Sequence, residues 1–375
     1  MTQQAAIGLG VHVRVLAEAA DGSAAQVIPD CVVGDYRDLD TVLEFSRGCD
    51  VLTFDHEHVP NAVLRALEGA DVVCRPGAAA LVHAQDKAAM RRRLTELGVP
   101  CPRHQVVQTA AEVAAFAAEM GGWPVVVKTA RGGYDGKGVW LAESAQDTGV
   151  DDSARTGLDG EPMTDYVVEE LLDFRRELSA VVVRAPSGQT AVYPVVESVQ
   201  RDGICVEVVA PAPELSLELA AQAQQLALRV AGALDVVGVL AVELFETEDG
   251  RVLVNELAMR PHNTGHWGID GAGTSQFDNH LRAVLDWPLG SPLARQRWSV
   301  MANILGGAVP ALHDGFPHAF ARDPALRVHL YGKEIKPGRK VGHVTTYGDD
   351  LADVRERARH AAAWFRGDLP DEEEP

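Results

Sequence analysis

Apolar and polar positions along the chain fall into two alternating periods. Over the first 74 residues, short apolar runs at 11–16, 50–54 and 71–74 are separated by stretches at 39–45 and 61–67 with helical spacing. That alternation predicts βα units on a parallel sheet, which takes ligands beyond the C-terminal ends of its strands. Residues 2–9 read as a helix ending at Gly8 and Gly10. Further helices are predicted over 86–97, opened by Asp86 and stopped by Gly98 and Pro100, and over 110–120. Strands are predicted at 124–128, 139–141, 166–172, 177–184 and 191–198, followed by a long amphipathic helix over 214–234. A hairpin over 239–257, a helix over 275–285 and a β-rich segment over 297–348 complete the pattern. Residues 143–165 read as an exposed loop and the acidic end as a disordered tail. The fold class is α/β and α+β. The expected units are an N-terminal Rossmann-like βα domain (1–85), a central domain (86–290), a short β-rich domain (291–360) and a tail (361–375).

Two stretches carry the chemistry. In the first, a buried strand ends at Lys128, four glycines follow (Gly132, Gly133, Gly136, Gly138), and a second strand starts at Val139. Strand, glycine-rich loop, strand describes either a plain hairpin turn or a flap whose backbone N–H groups close over phosphates. No helix follows the glycines, which excludes a Walker loop and a dinucleotide fingerprint. In the second, two alternating runs flank Asp249-Gly250, a two-residue hairpin signal. That loop would place Glu248 opposite Arg251 and Glu243 opposite Glu256, with the two carboxylates about 5 Å apart. Their face would also carry Ala241, Phe245, Val254 and Ala258. A divalent cation shared with a nucleotide's phosphates would relieve the repulsion. A longer loop would slip the register and separate the pair.

Other polar clusters read less specifically. Asp55-His-Glu-His58 sits at a strand end, as a substrate contact or polar turn and not a metal site, since no third ligand is in view. His262 and His266 are four apart, but Pro261 and Gly265 break any helix between them, which argues against zinc. On the strand over 166–172, main-chain groups could read an adenine edge and a carboxylate could take ribose hydroxyls.

Composition narrows the partners. The chain has 375 residues and a formal net charge of −20, which argues against nucleic acid or an anionic membrane. Only six lysines stand against twenty-eight arginines, and two of the six, Lys128 and Lys137, flank the glycine loop. Lys333, Lys336 and Lys340 cluster around a Pro-Gly turn, as an anion site or a solvated loop. Five scattered cysteines fit reduced thiols, and no apolar run reaches membrane-spanning length. The expectation is a cytoplasmic protein.

Together these motifs resemble the ATP-grasp superfamily and, more narrowly, the 5-(carboxyamino)imidazole ribonucleotide synthase family. The resemblance rests on Arg131-Gly-Gly-Tyr-Asp-Gly-Lys-Gly138, Val242-Glu-Leu-Phe245, Asn255-Glu-Leu-Ala-Met-Arg-Pro-His-Asn-Thr-Gly-His-Trp267 and Tyr331-Gly-Lys…Pro-Gly-Arg-Lys-Val-Gly-His343. It implies an ATP-grasp fold, a homodimer, and ATP-dependent carboxylation of 5-aminoimidazole ribonucleotide with bicarbonate through carboxyphosphate. It implies ATP contacts at Arg75, Lys128, the flap (Gly133, Tyr134, Asp135, Gly136, Lys137, Gly138, Val139), Glu169, Glu170, Leu171, Leu172, Glu177, Asn255 and Glu256. Mg²⁺ would be held by Glu243 and Glu256. The ribonucleotide would meet Tyr134, Asp135, Lys137, His262, Lys333 and Arg339. Asp135, Lys137, Arg260 and Asn263 would act at the reacting groups.

Three departures from the family pattern stand out. Asp55 replaces a usual Glu, Gln200 a usual His, and the family's opening strand and glycine loop are lacking. The last leads to the expectation that Met1 is internal to a longer natural product, so that the chain binds Mg–ATP but holds the ribonucleotide poorly. Another ATP-grasp ligase, or a nucleotide binder without turnover, are the rival readings.

Overall fold

The computed structural model describes residues 1–133, 136–150, 155–156, 162–163 and 165–369. Tyr134 and Asp135, both expected at the site, lie outside the described residues.

The N-terminal lobe contains α1 (Thr2–Leu9), β1 (Arg14–Ala17), β2 (Asp30–Val33), α2 (Leu39–Ser46), α3 (Asn61–Gly69) and α4 (Ala78–Gln85). β1 and β2 pair in parallel, Arg14 opposite Asp30. The runs expected as strands at 50–54 and 71–74 shrink to a single parallel bridge, Leu52 to Cys74. β2 and α4 are absent from the sequence reading. Asp-Cys-Val-Val is too short to show a period, and α4 is apolar nearly all round. The lobe does not stand alone. Phe45, Leu64 and Leu67 pack in one continuous core with Leu240, Val242 and Leu257 of the central sheet. The Thr53 hydroxyl meets His280 Nε2 at 2.8 Å.

α5 (Lys87–Glu96) starts as expected, with the Asp86 carboxylate accepting from Ala89 N at 2.9 Å. A small antiparallel sheet follows, ordered β3-β8-β4-β5, from β3 (His104–Val107), β4 (Val125–Thr129), β5 (Val139–Ala142) and β8 (Tyr166–Glu170). It is backed by α6 (Ala110–Glu119), whose Thr109–Glu112 capping box fixes its start. Within the stretch expected as plain loop, β6 (Arg155–Thr156) pairs with β7 (Pro162–Met163).

The large sheet has nine strands, ordered β14-β13-β9-β11-β12-β15-β17-β16 with β10 beside β9. They are β9 (Phe174–Arg184), β10 (Thr190–Val192), β11 (Val196–Arg201), β12 (Ile204–Ala210), β13 (Gly238–Thr247), β14 (Val252–Ala258), β15 (Trp298–Leu305), β16 (Arg327–Leu330) and β17 (Lys340–Gly348). The single strand expected at 191–198 is two strands broken at Tyr193–Val195, and β12 was not foreseen. α7 (Leu217–Ala233), α8 (Gly268–Gly271), α9 (Gln276–Val284), α10 (Phe316–Arg322) and α11 (Leu351–Arg366) complete the chain.

The strands of the C-terminal part join the central sheet, because β15 pairs with β12, Ala302 opposite Glu207. A helix follows them. α11 buries Val354, Ala358, Ala361 and Phe365, one apolar stripe, and runs through the residues expected to start the tail.

Candidate active site

A cleft of about 670 Å³ lies between the small sheet and the large one, and the loop around Asp55–Asn61 forms part of its wall. One end is set by the last turn of β4. Lys128 Nζ lies 2.9 Å from Glu169 Oε2 of β8 and 2.9 Å from Asn255 Oδ1 of β14. Arg91 of α5 reaches the other oxygen of Glu169 at 2.6 Å and also donates to Val254 O at 2.9 Å. All three charged groups are buried. Burial opposes ionising the Glu169 carboxyl, but Arg91 and Lys128 outweigh it and hold the group down to about 2. Glu169 is therefore committed to these cations, and its carboxylate is not open to a ribose. Next to it, Glu170 Oε1 accepts from Arg103 N at 2.7 Å, while Leu171 is exposed on the cleft wall.

The glycine loop closes over this end. Gly138 has φ +73°, its carbonyl accepts from Thr129 N at 2.8 Å, and a Cβ there would fall 2.5 Å from Thr129 Oγ1. At Gly136 a Cβ would lie 3.3 Å from Gly203 Cα, so the loop rests on the β11–β12 turn through bare backbone. Gly133, Gly136 and Val139 line the cleft; Lys137 is exposed and is not among its lining residues.

The β13–β14 hairpin supplies the carboxylates by a route the sequence reading missed. Its loop has three residues, not two: Thr247, not Glu248, faces Arg251, with Thr247 N donating to Arg251 O at 3.0 Å and Gly250 at φ +78°. That longer loop shifts the register by one. A bulge shifts it back, because Leu244 pairs with Val254 and Glu243 with Glu256, leaving Asn255 as the extra residue. The carboxylates end up opposite each other as expected. The bulge also lets consecutive residues Asn255 and Glu256 both line the cleft, and it turns Val254 into the core on the other side of the sheet, away from the face expected for it.

The electrostatics follow from that pairing. Glu243 lies 3.2 Å from His262 Nε2, and Glu256 lies 3.2 Å from Lys87 Nζ. Glu177, on the neighbouring strand β9, shares the cleft with them. Burial, then the charges of Glu243 and Glu256, push its carboxyl up to about 7, against a hydrogen bond from Gln200. Two facing carboxylates raising the affinity of a third for a proton are a set of oxygens suited to a cation. Mg²⁺ is typically held by one or two carboxylates together with substrate phosphates, so Glu243 and Glu256 fit it. Among the described residues there is no cluster of three or more His, Cys, Asp or Glu side chains arranged around a metal.

At the far end, Arg260 pairs with Glu57 at 2.8 Å, and Asn263 exchanges amide hydrogen bonds with Asn303 at 3.0 and 2.8 Å. His262 Nδ1 meets Thr264 Oγ1 at 2.9 Å, within a 3₁₀ turn over Asn263–Gly265. Lys333 Nζ lies 5.4 Å from the centroid of the Tyr331 ring, and both residues line the cleft.

Besides Lys137, two expected residues stand elsewhere. Arg75 is not on the cleft wall: its Nη1 donates to Val284 O at 2.6 Å, at the end of α9, and rivets the N-terminal lobe. Arg339 is half exposed and turned to Glu334, with Nη1 3.4 Å from its carbonyl oxygen, while Lys340 beside it lines the cleft. Lys87 and Arg131 also line it, and Arg91 organises its floor; none was singled out for the site from the sequence. The scarcity of lysine was the available signal for Lys87 and Lys340. For Arg91, one arginine on an arginine-rich helix, no signal existed.

Comparison with known proteins agrees with this architecture. Residues 1–85 match the ribonucleotide synthetase preATP-grasp domain, 92–277 the ATP-grasp domain, and 299–357 the phosphoribosylaminoimidazole carboxylase C-terminal domain. The N5-carboxyaminoimidazole ribonucleotide synthase of Mycobacterium tuberculosis is 55% identical over 369 residues, 97% of this chain and 85% of that protein. The enzyme of Corynebacterium ammoniagenes is 48% identical, covering 96% and 88%. Among solved structures, the synthetase of Thermus thermophilus superposes with a TM-score of 0.84 at 35% identity, covering 99% of this chain and 97% of that one. The Aspergillus clavatus enzyme in complex with ADP and 5-aminoimidazole ribonucleotide gives 0.85 at 31%, covering 97% and 95%. The fold, the cleft and these relatives lead to one conclusion: the chain belongs to the N5-carboxyaminoimidazole ribonucleotide synthase family, ATP-grasp ligases of purine biosynthesis.

Proposed function

We propose that this cleft joins bicarbonate to the amino group of 5-aminoimidazole ribonucleotide at the expense of ATP, with carboxyphosphate as the intermediate. The observation that carries the reading is the facing pair Glu243 and Glu256, set between Lys128 at one end and Arg260 and Lys333 at the other. In it, Lys128 and the backbone of the flap from Gly133 to Val139, a stretch that includes Tyr134 and Asp135, hold the phosphates. Lys87 and Arg131 join them, in place of Arg75. The adenine meets main chain from Glu169 to Leu172, and Glu177 faces the ribose. Glu243 and Glu256, with Asn255 beside them, hold Mg²⁺, which when bound screens the phosphate charge against an incoming anion.

The side chains then have distinct tasks. Bicarbonate is a poor nucleophile and meets a polyanion, so Arg260 and His262 offset the repulsion as its oxygen attacks the γ-phosphorus and ADP leaves. Asn263, locked by Asn303, orients the carboxylate. Carboxyphosphate is labile, and a closed flap keeps bulk water from it. It releases CO₂ and phosphate, and the substrate amine forms the new C–N bond and loses a proton, with Asp135 as its acceptor. Lys333 holds the ribonucleotide, with Lys340 nearer to it than Lys137 or Arg339. The protein is read as a cytoplasmic homodimer; its five unpaired cysteines, and the lack of a helix long and apolar enough to span a membrane among the described residues, support the first word. Light scattering on the purified chain tests the second.

ADP release measured with each substrate omitted tests the reaction. Turnover that needs both bicarbonate and the ribonucleotide, with one ADP per carboxylated product, is expected. Turnover with a different amine or acid acceptor would identify another ligase, and binding of ATP without turnover would leave a nucleotide binder.

A further inference from the structure

Behind the ribonucleotide end of the cleft, a row of polar side chains crosses three strands. His329 of β16 pairs in register with His343 of β17, and His343 with Asn303 of β15. Asn303 and His343 are buried, His343 completely. Buried polar groups in a sheet are costly unless they are hydrogen-bonded; each side chain of this row has at least one polar partner, although His343 Nε2 has none among the described residues. Asn303 exchanges amide hydrogen bonds with Asn263 and donates to Cys205 O at 2.9 Å. His343 Nδ1 lies 2.7 Å from the Tyr331 hydroxyl. His329 stacks on His343 with ring centroids 4.8 Å apart, and its Nε2 lies 2.8 Å from Asp270 of α8. On the cleft side His266 lies against His343 at 5.1 Å and is itself held by Gln276, whose amide also clamps the backbone of His262.

We propose that His343 is a positioning residue for the second substrate. It fixes the Tyr331 hydroxyl, and so fixes the ring over which the Lys333 ammonium lies at the cleft. Tyr331 sits two residues before Lys333, on the stretch that follows β16. Without the His343 contact, the tyrosine loses the one polar partner that its hydroxyl has among the described residues, and the lysine above it loses a defined platform. His343 meets this task as a neutral imidazole: burial, and then the nearby imidazoles of His266 and His329, hold it well below the usual histidine range. The proposal rests on the reading that Lys333 meets the ribonucleotide.

The test compares Tyr331→Phe, His343→Leu, His343→Asn and Lys333→Ala, following ADP release with 5-aminoimidazole ribonucleotide and ATP varied separately. Tyr331→Phe and His343→Leu should each raise KM for the ribonucleotide roughly three- to tenfold, the size of one lost hydrogen bond, with KM for ATP within about twofold. His343→Asn keeps a polar atom where Nδ1 stood and should recover most of the affinity. If His343→Leu does not fold, Tyr331→Phe decides alone. An unchanged ribonucleotide KM in Tyr331→Phe, or a parallel rise for both substrates, overturns the proposal. If Lys333→Ala raises that KM while Tyr331→Phe does not, the positioning role fails and the site assignment stands. If Lys333→Ala leaves it unchanged, the assignment fails and the positioning role with it.

Discussion

Glu169 and Glu170 are neighbours on β8, yet replacing each by glutamine should have consequences of very different size. Glu169 is 3% exposed and shares its two oxygens between Arg91, 1% exposed, and Lys128, 6% exposed. Glu169→Gln would leave two buried cations facing one neutral amide. Removing one member of a buried charge set typically costs about 3–5 kcal/mol. Proton linkage gives a similar size independently: a fall from an ordinary 4.5 to about 2 corresponds to about 3 kcal/mol, at about 1.4 kcal/mol per tenfold in proton affinity. The sign is that of a depressed carboxyl. The contribution is present above the unfolded-state value of 4.5 and is lost only as pH falls through about 2. The gap between wild type and variant should therefore be constant from pH 6 to 8. Glu170, by contrast, uses one oxygen to accept from Arg103 N, and the amide oxygen of glutamine accepts equally well. Glu170→Gln should cost under about 0.5 kcal/mol. Thermal unfolding checks both: Glu169→Gln should lower the midpoint by roughly 4–6 °C, and Glu170→Gln by about 1 °C or less. Equal shifts for the two variants would refute the buried-triad account.

Glu177→Gln should stabilise the ligand-free chain at pH 8. A carboxyl raised to about 7 stabilises the fold below its unfolded value of 4.5 and loses that contribution as pH climbs to about 7, so the variant should gain on the order of 2 kcal/mol at pH 8 and little at pH 5; a gain independent of pH would contradict this. Glu256→Gln should abolish ADP release. It removes both the repulsion with Glu243 and the pair with Lys87, two partly exposed terms of opposite sign, so calorimetry without Mg²⁺ should find stability within about 1 kcal/mol of wild type. Arg339→Ala should change KM for the ribonucleotide less than Lys333→Ala does, because the guanidinium is turned to Glu334; steady-state kinetics that rank them the other way would return Arg339 to the site.

What the sequence determined by itself was local. The helices at Lys87–Glu96, Asn61–Gly69 and Gln276–Val284 were legible because caps and apolar spacing act within a few residues. The glycine loop after Lys128 and the hairpin that carries the two carboxylates were legible for the same reason, as were the motifs that carry the family resemblance. Tertiary structure decided everything that depends on which distant segments meet. The expected loop at Asp249-Gly250 was wrong, and the carboxylates face each other only because a bulge at Asn255 compensates, an irregularity that alternation cannot show. Arg75 and Arg339 resembled site residues by position, but packing turned one to Val284 and the other to Glu334, while Lys87 and Lys340 came to the cleft. Arg91 became the floor of the nucleotide end, and β15 to β17 became part of the central sheet. Strand pairing and the direction of a long cationic side chain are set by contacts many residues away, and a single sequence records those contacts only through the fold they produce.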